Sequence, residues 1–418
     1  MEPTPQSPRR VVVTGMGIVS PVGVDIPAFW DNLTHGVCGI DRISRFDVSD
    51  YPAQIAAEIR DFEPDKYFER KEARHMDPYT QYAIAAGVQA VEDSGIDFDD
   101  YNRERIGVIV GSGIGGMKTY EDQVRTLVER GPRRVNPFFI PMMISDIAAG
   151  LLSIRYNLRG PNYSVTSACA TSGHAIGNAM KTIRWGEADV MVTGGTEAPI
   201  SQTGLAGFSA MKALSTRNDD PKHSSRPFDA DRDGFIMGEG SGILVLESLE
   251  GAQKRGARIY CELAGAGYSG DAHHITAPPE DGHGAEQSMR VALEDAQADL
   301  TDVGYINAHG TSTPLNDRAE TLAIKNLFGE YAYKLAISST KSMHGHMLGA
   351  AAGVETIATI LAMKNGRIPP TINYETPDPD CDLNYTPNEA IDRDFEVGMC
   401  NTFGFGGHNA TLVIKKFH

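Results

Sequence analysis

Cysteine is scarce in this chain of 418 residues: there are five, widely scattered, with no Cys-x-x-Cys pair. An odd, dispersed set builds no disulfide framework, and structural zinc sites usually need closely spaced pairs. Basic residues are outnumbered, 38 Lys and Arg against 55 Asp and Glu. A net charge of −17 argues against a general nucleic-acid binder, although a local basic patch stays open. No stretch approaches the roughly 18 apolar residues of a membrane span, and the first ten residues hold no apolar signal core. Low-complexity segments are absent too. These absences leave a globular protein of a reducing compartment, expected in the cytoplasm, or in a plastid or mitochondrial matrix if this is a mature form.

Glycine, in contrast, is abundant (44) and gathers in short loops such as Gly111 to Gly116 and Gly404 to Gly407. That suggests backbone passing close to a ligand or another strand. Residues 1–8 read as a short disordered lead. Short β-branched or apolar runs follow: Val11 to Gly15, Arg105 to Gly111, Val165 to Ala168, Asp189 to Gly195, Gly240 to Leu249, Ile259 to Gly265, Tyr305 to Ala308, Leu335 to Ser339 and Ala410 to Lys415. Helical spacing separates them at Thr80 to Gly95, Thr171 to Trp185, Asn316 to Gly329 (with Asn316 as the cap) and Ala350 to Asn365. The alternation predicts an α/β protein with largely buried sheets. Two similar halves, 1–255 and 256–418, account for the repeat of style.

Cys169 is the most informative residue. It lies in Val-Thr-Ser-Ala-Cys-Ala-Thr-Ser-Gly (165–173), where an extended run meets a helical one bearing Ile176, Ala179, Met180 and Ile183. A thiol at a helix N-terminus feels the positive end of the macrodipole, which favours the thiolate. Two distant histidines stand in equally particular settings: His309 in Asn-Ala-His-Gly-Thr-Ser-Thr, and His346 in Lys-Ser-Met-His-Gly-His-Met-Leu-Gly-Ala (341–350). One cysteine with distant histidines is a nucleophile signature. Two neutral imidazoles donating to one oxygen would stabilise an enolate. The bland alternatives are an inert buried cysteine and a zinc site drawing on Cys169, His309, His344 and His346. Lys341 and Glu355 are read as an ion pair orienting the site, or else as surface and helix-face charges. Gly111-Ser-Gly113-Ile-Gly-Gly116 fits the dinucleotide fingerprint formally. The second strand with its acidic residue, due about 20 residues on, is missing. In Asn401-Thr-Phe-Gly-Phe-Gly-Gly-His-Asn409, Phe405 is read as a gate and backbone oxyanion donor, with a packed hairpin as the alternative.

Together these segments, with Arg-Pro-Phe-Asp-Ala-Asp-Arg-Asp-Gly-Phe (226–235) and Gly-Glu-Gly-Ser-Gly (238–242), resemble the β-ketoacyl-acyl-carrier-protein synthases, most closely the synthase II type of fatty-acid synthesis. The resemblance runs from about Arg10 to Lys415. It implies a thiolase fold, two similar α/β halves in a five-layered αβαβα core, and a homodimer. It implies that Cys169 carries an acyl chain as thioester while His309 and His346 promote decarboxylation of malonyl carrier protein. The released carbanion then attacks the thioester. Backbone N–H groups of Cys169 and Phe405 would form the oxyanion hole, and Lys341 with Glu355 a supporting pair. Thr311 and Thr313 would hold the phosphopantetheine arm, and Ile114 and Phe405 would line or gate the acyl pocket. Acyl carrier protein is the implied partner, docking on Lys71, Arg74, Arg133, Arg134 and Lys212, with His75 where a basic residue is common. No metal and no cofactor is expected. A polyketide-type ketosynthase shares the Cys-His-His set. A thiolase does not fit, because Cys400 is followed by Asn-Thr-Phe-Gly. A chain-length factor would lack the nucleophile.

Overall fold

The structure, a computed structural model, describes residues 8–418, so the expected lead lies almost wholly outside the described residues. Ten strands form one sheet: β1 (Val11–Val19), β2 (Ile106–Gly111), β3 (Asn162–Tyr163), β4 (Val190–Glu197), β5 (Gly240–Ser248), β6 (Cys261–Gly270), β7 (Val303–Asn307), β8 (Ala336–Ser338), β9 (Val397–Gly404) and β10 (His408–Lys415). Their order is β8-β7-β9-β10-β6-β1-β5-β4-β2-β3. The order repeats about its middle, since β6 to β10 occupy in one half the places that β1 to β5 occupy in the other. Only Val12 and Val13 of β1 pair with Glu262 and Cys261 of β6, so the halves join through a narrow seam.

Seven helices matter here: α1 (Pro78–Ser94), α2 (Met117–Arg130), α3 (Ile147–Tyr156), α4 (Thr171–Arg184), α5 (His283–Ala296), α6 (Pro314–Phe328) and α7 (Ala351–Asn365). Helices α1 and α3 cover the outer face of the first half, α5 covers that of the second with α6 packed beside it, and α4 and α7 pack together between the two half-sheets. This is the five-layered arrangement. A helix enclosed on every side must be apolar or small all round. Accordingly every residue of α7 from Ala351 to Met363 is buried, including Ile357, Ile360 and Leu361. Truncating any of these to Ala would cost about 2–5 kcal/mol. Strand runs such as Val190–Val192 and Ile243–Leu246 are buried on both faces, as a sheet covered by helices requires.

Two expectations need correction. Val165 to Ala168 is no strand, because the ladder in this region pairs Val108 and Ile109 with Asn162 and Tyr163. Asn316 does not cap α6. That helix begins at Pro314, whose fixed φ suits the first turn, with Thr313 as the N-cap residue. Residues 401–409 form a hairpin, β9 turning into β10 with Gly404 opposite His408, and its turn sets Phe405 on the wall of the cavity that Cys169 lines, so the hairpin and the gate are compatible.

Candidate active site

The repeat carries the chemistry to one place. Cys169 follows β3 and precedes α4, and His346 follows β8 and precedes α7. These are equivalent positions in the two halves, and the halves bring them together at the carboxyl ends of their parallel strands. His346 Nε2 lies 3.0 Å from Cys169 Sγ. The His309 ring, at the end of β7, stands nearly perpendicular to that of His346 with centroids 5.3 Å apart. Cys169, His309, His346, Phe235, Thr311 and Phe405 all line one cavity of about 410 Å³.

Each side chain is held by its backbone. Ala168, just before the cysteine, has φ of 50°, a conformation L residues rarely adopt, as in a nucleophile elbow. The His346 N–H donates to Ile236 O at 2.7 Å, and Gly238 N–H returns a bond to His346 O at 2.8 Å. His309 and Gly310 donate their N–H groups to the buried Glu320 carboxylate at 2.9 and 2.8 Å. Asn401 of β9 reaches the same carboxylate at 3.2 Å, tying the His309 turn to the Phe405 hairpin. Gly404 must be glycine: a Cβ there would lie 2.9 Å from Ser167 O and 3.0 Å from Cys169 N. That close approach brings the Phe405 N–H, together with the N–H of Cys169 itself, to the sulfur.

The electrostatics overturn one expectation. Cys169 directly precedes α4, yet burial pushes its thiol up to about 12, against the opposing pull of Lys341 and the Phe405 N–H. The resting group is therefore a thiol, within hydrogen-bond distance of the neutral His346. Burial, then the Lys341 charge, holds both His309 and His346 well below the ordinary imidazole value. Lys341 is 1% exposed and paired with Glu355 of α7, so the ion pair is internal and the surface reading is wrong. Burial lifts Glu355 to about 7 against the pull of that lysine.

The other expected residues separate into groups. Thr311 and Thr313 join hydroxyl to hydroxyl at 2.9 Å on the cavity wall. Behind them Arg232 donates to Thr313 O at 3.3 Å and to Asp378 at 2.6 Å, which gives the 226–235 segment its place. Lys212 is exposed at the cavity mouth. Lys71, Arg74, Arg133 and Arg134 are exposed. The His75 ring lies 4.1 Å from that of Phe138, setting the first pair beside the segment of the second. Ile114 packs in the apolar cluster that holds Cys169 and Leu348. It does not line the cavity over Cys169. It lines a neighbouring depression of about 730 Å³ with Met117, Tyr120 and Ile144. His344 stays apart from the cluster, its ring nitrogens bonded to Thr340 Oγ1 and Gly345 O at 2.9 and 2.8 Å. The Gly111–Gly116 loop has its N–H groups turned onto a carboxylate: Gly113 and Ile114 donate to Glu197. Glu197 and Glu320 do not stand out in the sequence. Glu197 leaves a faint signal as the one charged residue of its strand, whereas Glu320 lies among Asp317, Arg318 and Lys325 on α6 and leaves none.

Comparison with known proteins agrees with this geometry. The model for the β-ketoacyl synthase N-terminal domain matches residues 8–252, and that for the C-terminal domain matches 260–375. A 3-oxoacyl-[acyl-carrier-protein] synthase 2 of Staphylococcus aureus (strain N315) is 53% identical over 98% of this chain and 99% of its own. Its counterpart in Synechocystis is 49% identical over 98% of each. Among solved structures, a β-ketoacyl synthase from Burkholderia phymatum superposes with a TM-score of 0.92 at 36% identity, covering 98% of this chain and all of the other. A type II PKS ketosynthase in complex with its acyl-carrier protein gives 0.91 at 35%, with the same coverage. The chain belongs to the β-ketoacyl synthase family, the thiolase-fold condensing enzymes.

Proposed function

We propose that this enzyme is a 3-oxoacyl-[acyl-carrier-protein] synthase in which Cys169 carries the growing chain and His309 and His346 release the carbanion that extends it. The observation that carries the reading is the 3.0 Å approach of His346 Nε2 to Cys169 Sγ, with two backbone N–H groups at the same sulfur. In the first half-reaction His346 Nε2 takes the Sγ proton as the sulfur attacks the acyl thioester. The oxyanion falls to the N–H groups of Cys169 and Phe405, and the carrier thiol leaves with the proton from His346. In the second, with the His346 proton moved from the unpartnered Nδ1 to Nε2, His309 and His346 each donate one N–H to the thioester carbonyl of malonyl carrier protein. Carbon dioxide departs, the electron pair spreads onto that oxygen, and the α-carbon attacks the Cys169 thioester. The C–S bond breaks, the Cys169 sulfur leaves as thiolate and takes a proton from solvent, and the 3-oxoacyl product stays on the carrier protein. Neutral imidazoles suit this step, because it needs donors more than a strong base. No metal or cofactor enters either half-reaction.

Thr311 and Thr313 hold the pantetheine arm in the cavity mouth, and the acyl chain runs from Cys169 past Ile114 towards the second depression. Acyl carrier protein, small and acidic, docks on Lys71, Arg74, Arg133, Arg134 and Lys212, which steer association and grip phosphate. Identity of 53% with a synthase 2, against 35% with the polyketide ketosynthase, favours fatty-acid elongation. The short helix from Leu249 to Lys254 serves as the junction of the halves, near residue 255. A second copy covers β3: this two-residue edge strand is exposed, and in the same half Tyr120, Leu127, Val128 and Ile140 present apolar side chains to solvent. The cytoplasm is the site of action. Incubation with acyl carrier proteins bearing short to long chains, followed by peptide mass mapping, tests the reading. It requires a mass gain on the Cys169 peptide. A folded chain that gains none at any length is not this enzyme.

A further inference from the structure

The Glu197 carboxylate, at the end of β4, is fully buried, and among the described residues no Lys, Arg or His lies within 4 Å of it. Its charge is met by hydrogen bonds alone. Oε2 accepts the N–H of Gly113 at 2.8 Å and of Gly349 at 2.9 Å. Oε1 accepts Ser112 Oγ–H at 2.8 Å and the N–H of Ile114 at 3.2 Å. One side chain thus joins the loop after β2, which carries Ile114, to the turn after His346, which carries Leu348. The fit is tight from both sides: a Cβ on Gly113 would lie 2.7 Å from Oε2, and one on Gly349 would lie 2.5 Å from it. Buried charge without a cation is costly, so a carboxylate here needs every one of those donors.

We propose that Glu197 is a positioning residue that sets acyl-chain selectivity by pinning Ile114 between the Cys169 cavity and the neighbouring depression. The proposal rests on the reading above, in which the chain runs past Ile114. Glu197→Gln separates the two oxygens. With the amide carbonyl at the Oε2 place, Gly113 and Gly349 keep their acceptor and the loops stay joined. The NH₂ then takes the Oε1 place, where Ser112 Oγ turns to accept but the Ile114 N–H faces another donor. Ile114 is half-buried, so water satisfies the freed N–H while the path is empty or holds a short chain. A long chain expels that water and leaves the N–H unpaired, so the penalty falls on long chains alone.

The test is acyl occupancy of Cys169 by mass spectrometry, with a two-carbon and a sixteen-carbon chain on carrier protein competing, in the parent enzyme, Glu197→Gln and Ser112→Ala. The long-to-short ratio should fall about tenfold in Glu197→Gln, the cost of one buried N–H left without a partner. Ser112→Ala, which leaves the Ile114 bond in place, should shift it less. It also remains informative if the first variant folds poorly. An unchanged ratio in Glu197→Gln, or loss shared equally by both chains, overturns the role of Glu197. No acylation of the parent enzyme overturns the underlying function.

Discussion

The reacting groups are neutral at rest, and that sets how the protein responds to pH. Burial holds His309, His344 and His346 below the ordinary 6.5, with His344 at about 3. The unfolded chain therefore takes up protons below pH 6.5 that the folded chain refuses, and this costs stability as pH falls. Glu197, Glu320 and Glu355 act in the opposite sense. Burial raises each from 4.5 to about 7, so the folded chain keeps protons that the unfolded chain loses, and stability falls as pH rises between those values. Between pH 4.5 and 6.5 the raised carboxylates, joined by Asp77 at about 6 and by Glu239 and Asp317, offset the slope of the histidines, to which the lowered His174 adds. Below 4.5 the histidine slope is joined by aspartates held low by their partners, Asp189, Asp229, Asp378 and Asp382 among them, which also cost stability as they protonate. Melting temperature measured against pH should not fall from 7 down to 4.5 and should drop beneath it; a steep fall beginning at 6.5 would mean the histidines are not balanced. His309→Ala should lower malonyl decarboxylation about 10²-fold, the loss typical of one preorganised donor. A normal rate of carbon dioxide release would remove His309 from the pair.

Among elements, the parts that bury apolar runs were legible and the parts that only close backbone against backbone were not. The β1, β2, β4, β5 and α4 segments match their sequence signals because period and burial agree. Strand β3 was misplaced by a few residues, since the β-branched Val165 and Thr166 look more strand-like than the exposed Asn162 and Tyr163 at the sheet edge. Strand β9 was missed because Gly398, Asn401 and Gly404 dilute its apolar pattern. The nucleophile, both histidines and the Lys341–Glu355 pair could be found by their neighbours in sequence. Glu197 and Glu320 could not, because what distinguishes them is the set of N–H groups folded around them from distant loops. The Gly404 contact belongs to this scale. Gly404→Ala must push the hairpin off the Cys169 turn, displacing the Phe405 N–H. Turnover should fall about 10²-fold while the melting temperature moves little. Unchanged kcat would show that the hairpin does not place the oxyanion donor.

For the molecule as a whole, the doubled α/β unit explains why one site forms and where. Corresponding loops of the two halves supply the nucleophile and a histidine, and the enclosed helices α4 and α7 fix both from behind. The acidic chain still presents exposed arginines at Arg133 and Arg134. Reversing both to Glu should raise KM for the carrier-bound substrate and flatten its salt dependence, leaving kcat near that of the parent. The same KM would place docking elsewhere. Sedimentation should give twice the mass of the chain if a second copy covers β3, and a monomer would contradict it. The division of labour between cysteine and histidines is tested most directly by carbon dioxide release from malonyl carrier protein in Cys169→Gln. That variant keeps His309, His346 and the backbone donors, so it should continue to release carbon dioxide while forming no 3-oxoacyl product. A folded variant that still condenses, or that no longer decarboxylates, would contradict it.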